Sequence, residues 1–257
     1  SLERYRGFCK TSWLTAVAWT NKTRKLICLE SIAMNKDDNY LNSVNKHFLD
    51  KVMNLAENED VAASEDIFDS RGMKLISKGS KLASETQEKL IVHKLRKPLE
   101  TCIEVESGIR IDALLTEAKR LVDGIESISH IFGSVDRGTA SPFDILGRCQ
   151  LGNVMGMMLT IADRGGEAAM THTVLVSLLS ICLANKLGLP EKEQSTLAMA
   201  GLLHDIGELY IDPKFMRPQK RLLPHEWRHV IVHPKIGQML IKELGHYPDA
   251  VGNAVGN

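Results

Sequence analysis

The sequence predicts a mainly α protein, with a helical bundle at the C-terminus preceded by a smaller α/β N-terminal region that contains a β-hairpin. Three observations carry this. From residue 142 onward the apolar positions recur almost wholly at helical spacing. Earlier, "DIFDSRGMKLISKGSKL" alternates apolar and polar residues in rough order on either side of a Ser70-Arg71-Gly72 turn. Between the two, "DRGTASP" at 136–142 gathers Gly, Ser and Pro as linkers do. The organisation read from this is an unassigned segment 1–56, an α/β regulatory or partner-binding region 57–140, and a helical domain 141–257.

The elements follow in order. Residues 1–56 mix Trp13, Trp19 and apolar stretches with the polar run "MNKDDNYLNSVNK" and yield no functional reading. After the hairpin, Ser84 reads as the N-cap of a helix "ETQEKLIVHKL", acidic at its start and basic near its end, closed by Pro98. "LETCIEVES" reads as a short strand, and "DALLTEAKRLVDGI" as an amphipathic helix with Leu114, Leu115, Ala118, Leu121 and Val122 on one side. Helices are then expected over 142–163, 168–187, 191–206, 224–243 and from 247 to the end, with Gly188 as a C-cap and Pro190 opening the next helix. The segment 57–69 is acidic and 71–97 basic, which reads as complementary solvated faces.

Composition excludes several function classes. Thirty-two Lys and Arg balance thirty-two Asp and Glu, so no whole-chain positive field draws in a nucleic-acid polymer or an anionic membrane. A small anionic ligand is compatible with this balance. Five dispersed cysteines without a CxxC pair point away from a disulfide framework or a cysteine zinc site, and toward the cytoplasm. The apolar segments meet charges or glycines before 18 residues, so neither a membrane span nor a signal peptide is expected. The chain opens on Ser rather than Met, the mark of a piece of a longer protein.

Chemistry concentrates around "GLLHDIGELYIDP", residues 201–213. His204-Asp205 is weak evidence alone, but neighbouring helices offer further donors: His172 in the first turn of one, and His233 ending another in "EWRHVIVHPKIGQML". Singly, each has an ordinary role as a helix-end polar group. Together they suit iron, manganese or zinc, because neutral imidazole binds these ions and a carboxylate can bridge two of them. Two ions a few Å apart can clamp the oxygens of a phosphoryl centre during in-line attack. His229, one turn before His233, reads as a core or surface side chain, and Met155, Met157 and Met158 as core filling. The Gly152/Gly156 spacing reads as close soluble-helix packing, and Lys214, Arg217, Lys220 and Arg221 as a basic loop suited to phosphates or simply a charged surface.

Residues 168–257 resemble the front part of an HD-GYP domain, the branch of the HD phosphohydrolase superfamily that degrades cyclic di-GMP. The resemblance rests on His172, "LLHDIGELYIDP", "KFMRPQKRLLP" and "HEWRHVIVHPKIGQMLI", with thirty-two residues from His172 to His204 and twenty-eight from Asp205 to His233. It implies a metal-dependent cyclic di-GMP phosphodiesterase with two divalent ions, Fe or Mn. His172, His204 and Asp205 would hold one ion, and Asp205 would bridge to a second held by His233. A metal-held hydroxide would be the nucleophile, with Asp205 orienting it and Lys214, Arg217, Lys220 and Arg221 facing the substrate. The N-terminal region would engage a protein partner, and a homodimer is compatible with the pattern.

The departures imply an alternative. The family's adjacent histidine pair, its Gly-Tyr-Pro stretch and a later aspartate would fall beyond "DAVGNAVGN", so the chain supplies four of the expected ligands. Glu208 stands where the family has a phosphate-contacting lysine. Ala168 occupies the position of a third-metal glutamate, with Glu167 one residue out of register. The alternative is a degenerate HD domain that binds a nucleotide or a protein and signals without turnover.

Overall fold

In the computed structural model, residues 41, 43–135, 140–165, 169–216 and 221–257 are described. Residues 1–40, most of the expected linker, Glu167, Ala168, Arg217 and Lys220 lie outside them. The described part is mainly helical, with a few short antiparallel strands near its start, as the sequence predicts.

Helix α1, Lys46–Ala56, is capped by Asn45, whose side chain accepts from the amides of His47 and Phe48. That satisfies two of the amides a helix start leaves open. Strand β1, Val61–Ala63, pairs antiparallel with β4, Ile103–Val105. The expected hairpin forms from β2, Ile67–Phe68, and β3, Lys74–Ile76. Its turn is organised by the Asp69 carboxylate, which accepts from the amides of Arg71 and Met73. The acidic and basic segments meet as Lys74–Asp66, Lys81–Asp60 and Lys97–Glu65 ion pairs at the surface. Water and salt screen exposed pairs of this kind, so they orient more than they stabilise.

Helix α2, Ser84–Val92, is one residue longer at its start than expected. Ala83 is the cap position, and the Thr86 hydroxyl, not Ser84, meets its amide and carbonyl. It also ends early, because Leu95 turns back to bridge Asp69. The stretch read as one strand divides into a helical turn α3, Leu99–Cys102, and then β4. Helices α4, Ile111–Gly124, and α5, Glu126–Gly133, follow, and α4 buries Leu114, Ala118, Leu121 and Val122. The helix expected over 142–163 is two: α6, Pro142–Arg148, and α7, Asn153–Arg164, parted by extended residues at Cys149 and Gly152. Met155, Met157 and Met158 are buried on α7.

Helix α8, Ala169–Lys186, is long and apolar enough to cross a membrane by length and composition alone. Here it lies against α9, Glu191–Leu203, with Ser177 donating to the carbonyl of Ala198 at 2.9 Å. Gly188 takes φ +69° after α8, as a C-cap glycine does, and Pro190 caps α9. The chain then tightens into a 3-10 segment, Ile206–Tyr210, followed by a short 3-10 turn, Pro213–Phe215. The single helix expected over 224–243 is likewise two, α10, Pro224–Val230, and α11, His233–Leu244. His233 therefore opens a helix instead of ending one, and Pro234 sits in its first turn, where a missing N–H costs nothing. Helix α12, Asp249–Gly256, packs on α11 and α9. One apolar core runs from Phe48 and Val61 through Leu114 and Met158 to Leu202 and Val255.

Candidate metal centre

Three helix ends bring the site together. His172 stands in the first turn of α8, His204 closes α9, and His233 opens α11. The segment Ile206–Tyr210 packs on α11, with Ile206 and Leu209 buried beneath it, so Asp205 is left on the side facing the histidines.

The ligand atoms converge on Asp205. Its Oδ2 lies 2.9 Å from His204 Nε2 and 3.5 Å from His172 Nε2. Its Oδ1 lies 3.5 Å from His233 Nε2. The two imidazole nitrogens of His172 and His204 are themselves 3.1 Å apart. The carboxylate thus divides its oxygens between two groups of donors, the disposition a bridging ligand requires.

Backbone carbonyls hold two of the rings. His204 Nδ1 is 2.9 Å from the Gly201 carbonyl, and His233 Nδ1 is 2.8 Å from that of Val230. A carbonyl can only accept, so Nδ1 carries the proton in each ring. In the neutral rings each Nε2 then presents a lone pair toward Asp205, as metal-ligating histidines do. Lone pairs of His172, His204 and Asp205 within 3.5 Å of one another repel unless a proton or a cation lies among them. The donor set therefore fits a divalent ion.

Without an ion, protons take that place. Burial opposes the charged form of His204 and His233, but hydrogen bonding and charge from Asp205 outweigh it, leaving both above 6.5. Burial works to raise the Asp205 pKa, and the two histidines overcome it, holding the carboxyl well below 3.8. Asp205 is therefore an anion across the whole neutral range. Glu208 moves the other way: burial and then the charge of Asp205 push it above 4.5.

Glu208 belongs to this cluster, which sequence spacing did not convey. Atoms of His172, His204 and Asp205 form one group within 4.8 Å, and atoms of Asp205, Glu208 and His233 form another. Lys51 of α1, 157 residues away in sequence, donates to the Glu208 carbonyl at 2.8 Å. No local signal could have announced that contact. The basic loop is only partly described. Lys214 is exposed, pairs with Asp212 at 2.6 Å and stands over the Phe215 ring, while Arg221 is exposed. His229 stacks on Phe215 with ring centroids 4.7 Å apart, consistent with a surface role.

Residues 169–257 match the HD domain family. Over 142 residues, 54% of this chain, the sequence is 28% identical to the cyclic di-GMP phosphodiesterase PA4108 of Pseudomonas aeruginosa. That stretch covers 34% of the Pseudomonas protein, so the chain spans about a third of the relative's length. No solved structure matches. The two matches support the HD superfamily for the helical part.

Proposed function

We propose that the helical part is a dinuclear cyclic di-GMP phosphodiesterase site of HD-GYP type, acting on that or a related small cyclic nucleotide. The observation that supports it most is the divided Asp205 carboxylate, with His172 and His204 at one oxygen and His233 at the other. His172, His204 and Asp205 would hold one ion, and Asp205 and His233 would contribute to the second. Iron or manganese suits this mixture of imidazole and carboxylate. When bound, such ions supply Lewis acidity and lower the pKa of water.

The chain's own residues do the rest. Asp205, ionised throughout the neutral range, accepts a hydrogen bond from the attacking water and aligns it without retaining its proton. The carbonyls of Gly201 and Val230 keep the His204 and His233 rings from rotating away. Lys214 and Arg221, with Arg217 and Lys220 of the same loop, would meet the phosphate oxygens. Attack forms a bond from the water oxygen to phosphorus and breaks a P–O3′ bond, the water's proton ending on the O3′ leaving group, which opens the ring to the linear dinucleotide. The N-terminal region would receive a partner or signal.

Glu208 favours a second reading, a nucleotide- or protein-binding module without turnover, because an anion repels phosphate where a lysine would attract it. At about 4 Å and an effective dielectric near 20, such a charge pair is worth on the order of 4 kcal/mol before relaxation. The deciding experiment is elemental analysis of anaerobically purified protein, in its full natural length, with a cyclic di-GMP hydrolysis assay. About two Fe or Mn per chain and hydrolysis, both lost in His204→Ala, is the expected result. Metal-free, inactive protein would leave only the binding module.

A further inference from the structure

Asp205 is the cap of the 3-10 helix Ile206–Tyr210, with its carbonyl accepting from the Glu208 amide at 2.9 Å, and in a turn of that kind side chains three residues apart eclipse one another. Asp205 and Glu208 have that spacing. Ile206 and Leu209 are buried, so the two carboxylates share the remaining face, turned toward the first residue of α11. One oxygen of each and one His233 nitrogen lie within 4.8 Å of one another. Around an ion with bonds of about 2.1 Å, neighbouring donors stand about 3 Å apart and opposed donors about 4.2 Å. The cluster is already near that size.

We propose that Glu208 is a metal ligand, completing with Asp205 and His233 a second cation site built from one imidazole nitrogen and two carboxylates. The inference rests on the metal-binding reading above and goes beyond it by assigning a role to the residue that otherwise argues against catalysis. Two half-buried carboxylates this close need a positive partner. Lys51 donates to the Glu208 backbone carbonyl, and the pull of its charge on the carboxylate is outweighed by burial and by the charge of Asp205, which leave the Glu208 pKa raised. The set carries more negative charge and more oxygen than the His172–His204–Asp205 group. It therefore suits hard ions such as Mn²⁺ or Fe²⁺ better than that group does. A carboxylate here strengthens the hold on the cation and weakens that on an incoming phosphate.

The test is calorimetric titration of Mn²⁺ into the metal-free 257-residue chain, with electron paramagnetic resonance of the filled protein. The native chain should take about two ions, with a spin-coupled spectrum. Glu208→Gln should keep about one and lose the coupling, whereas His172→Ala should lose the other ion. Glu208→Asp, which keeps the charge but withdraws the oxygens, should bind the second ion at least about tenfold more weakly, and it serves if the Gln variant does not fold. Two coupled ions in Glu208→Gln, or undiminished affinity in Glu208→Asp, overturns the assignment and leaves the phosphodiesterase reading intact. A native chain that binds no Mn²⁺ overturns the assignment, and the phosphodiesterase reading falls with it only if the protein in its full natural length is metal-free too.

Discussion

Glu100 is an acid enclosed at 3% exposure in a chain whose other carboxylates mostly face water. Its Oε1 accepts from the Tyr210 hydroxyl, and among the described residues no donor meets Oε2. Burial pushes its pKa above 4.5, against the smaller opposing pull of the Tyr210 hydrogen bond. The folded protein thus holds this proton more tightly than the unfolded chain does. Stability falls as pH rises from about 4.5 through the raised value, because the unfolded state then releases a proton that the folded state retains. Glu100→Gln keeps the shape and cannot ionise. In urea unfolding from about pH 5 to about pH 8, the Gln variant should gain on the native protein as pH rises. A constant difference between the two would show that Glu100 does not titrate in that window. Neither Glu100 nor Lys51 was legible beforehand, since each matters through a partner more than a hundred residues away. His172, His204, Asp205 and His233 were legible as candidates, because residue type and spacing alone narrow the choice of donors. Glu208 was read as a missing lysine, since only the 3-10 winding turns it toward Asp205.

Elements set the distances that residues need. The segment Ile206–Tyr210 lies so close to α11 that a Cβ on Gly207 would stand 2.1 Å from the His233 carbonyl oxygen and 2.8 Å from the Gly237 amide nitrogen. Both are backbone atoms, so neither can swing aside. Gly207→Ala must lift the segment off the helix, which opens the 3.5 Å separation between Asp205 and His233. Overpacking of this sort costs about 1–3 kcal/mol, or a melting point lower by about 2–12 °C for a chain of this size. Mn²⁺ content should fall with it. An Ala variant with native melting point and native metal content would show that the approach is not needed. The other side of the segment is held by α1, where Phe48 stacks on Tyr210 at 5.4 Å. The sequence conveyed which stretches are helical better than where they break. The break at Cys149–Gly152 and the restart at His233 leave the apolar periodicity on either side intact, so a pattern of apolar positions runs straight through both. Pro234 did carry the signal for the restart: a proline fits the first turn of a new helix far better than the last turn of an old one.

At the scale of the molecule, the apolar core crosses the boundary that composition suggests near residue 140. Leu114, Leu121 and Ile145 belong to the same buried set as Leu178 and Leu203, and α4 packs on both α6 and α8. Elements that share a core lose their burial together, so residues 41–257 should unfold in one cooperative step. Ions held by the ends of α8, α9 and α11 would then stabilise the α/β part as well, because a ligand that binds only the folded state shifts the whole equilibrium. At a free ion concentration about 100 times the dissociation constant, the gain is about 2.7 kcal/mol, a rise of roughly 5–11 °C. Scanning calorimetry of the chain with and without Mn²⁺ checks this, and hydrogen exchange localises it. One endotherm should move as a unit, and the amides of α1 and the β1–β4 pair should gain protection along with those of α9. If the endotherm splits and only one component responds to the ion, the contacts across residue 140 are too weak to couple the two parts. The α/β region would then need some other route than shared stability to influence the metal centre. A single shifting transition makes the reverse path available too: a partner that strains α1 would loosen the segment carrying Asp205 through Phe48 and Lys51.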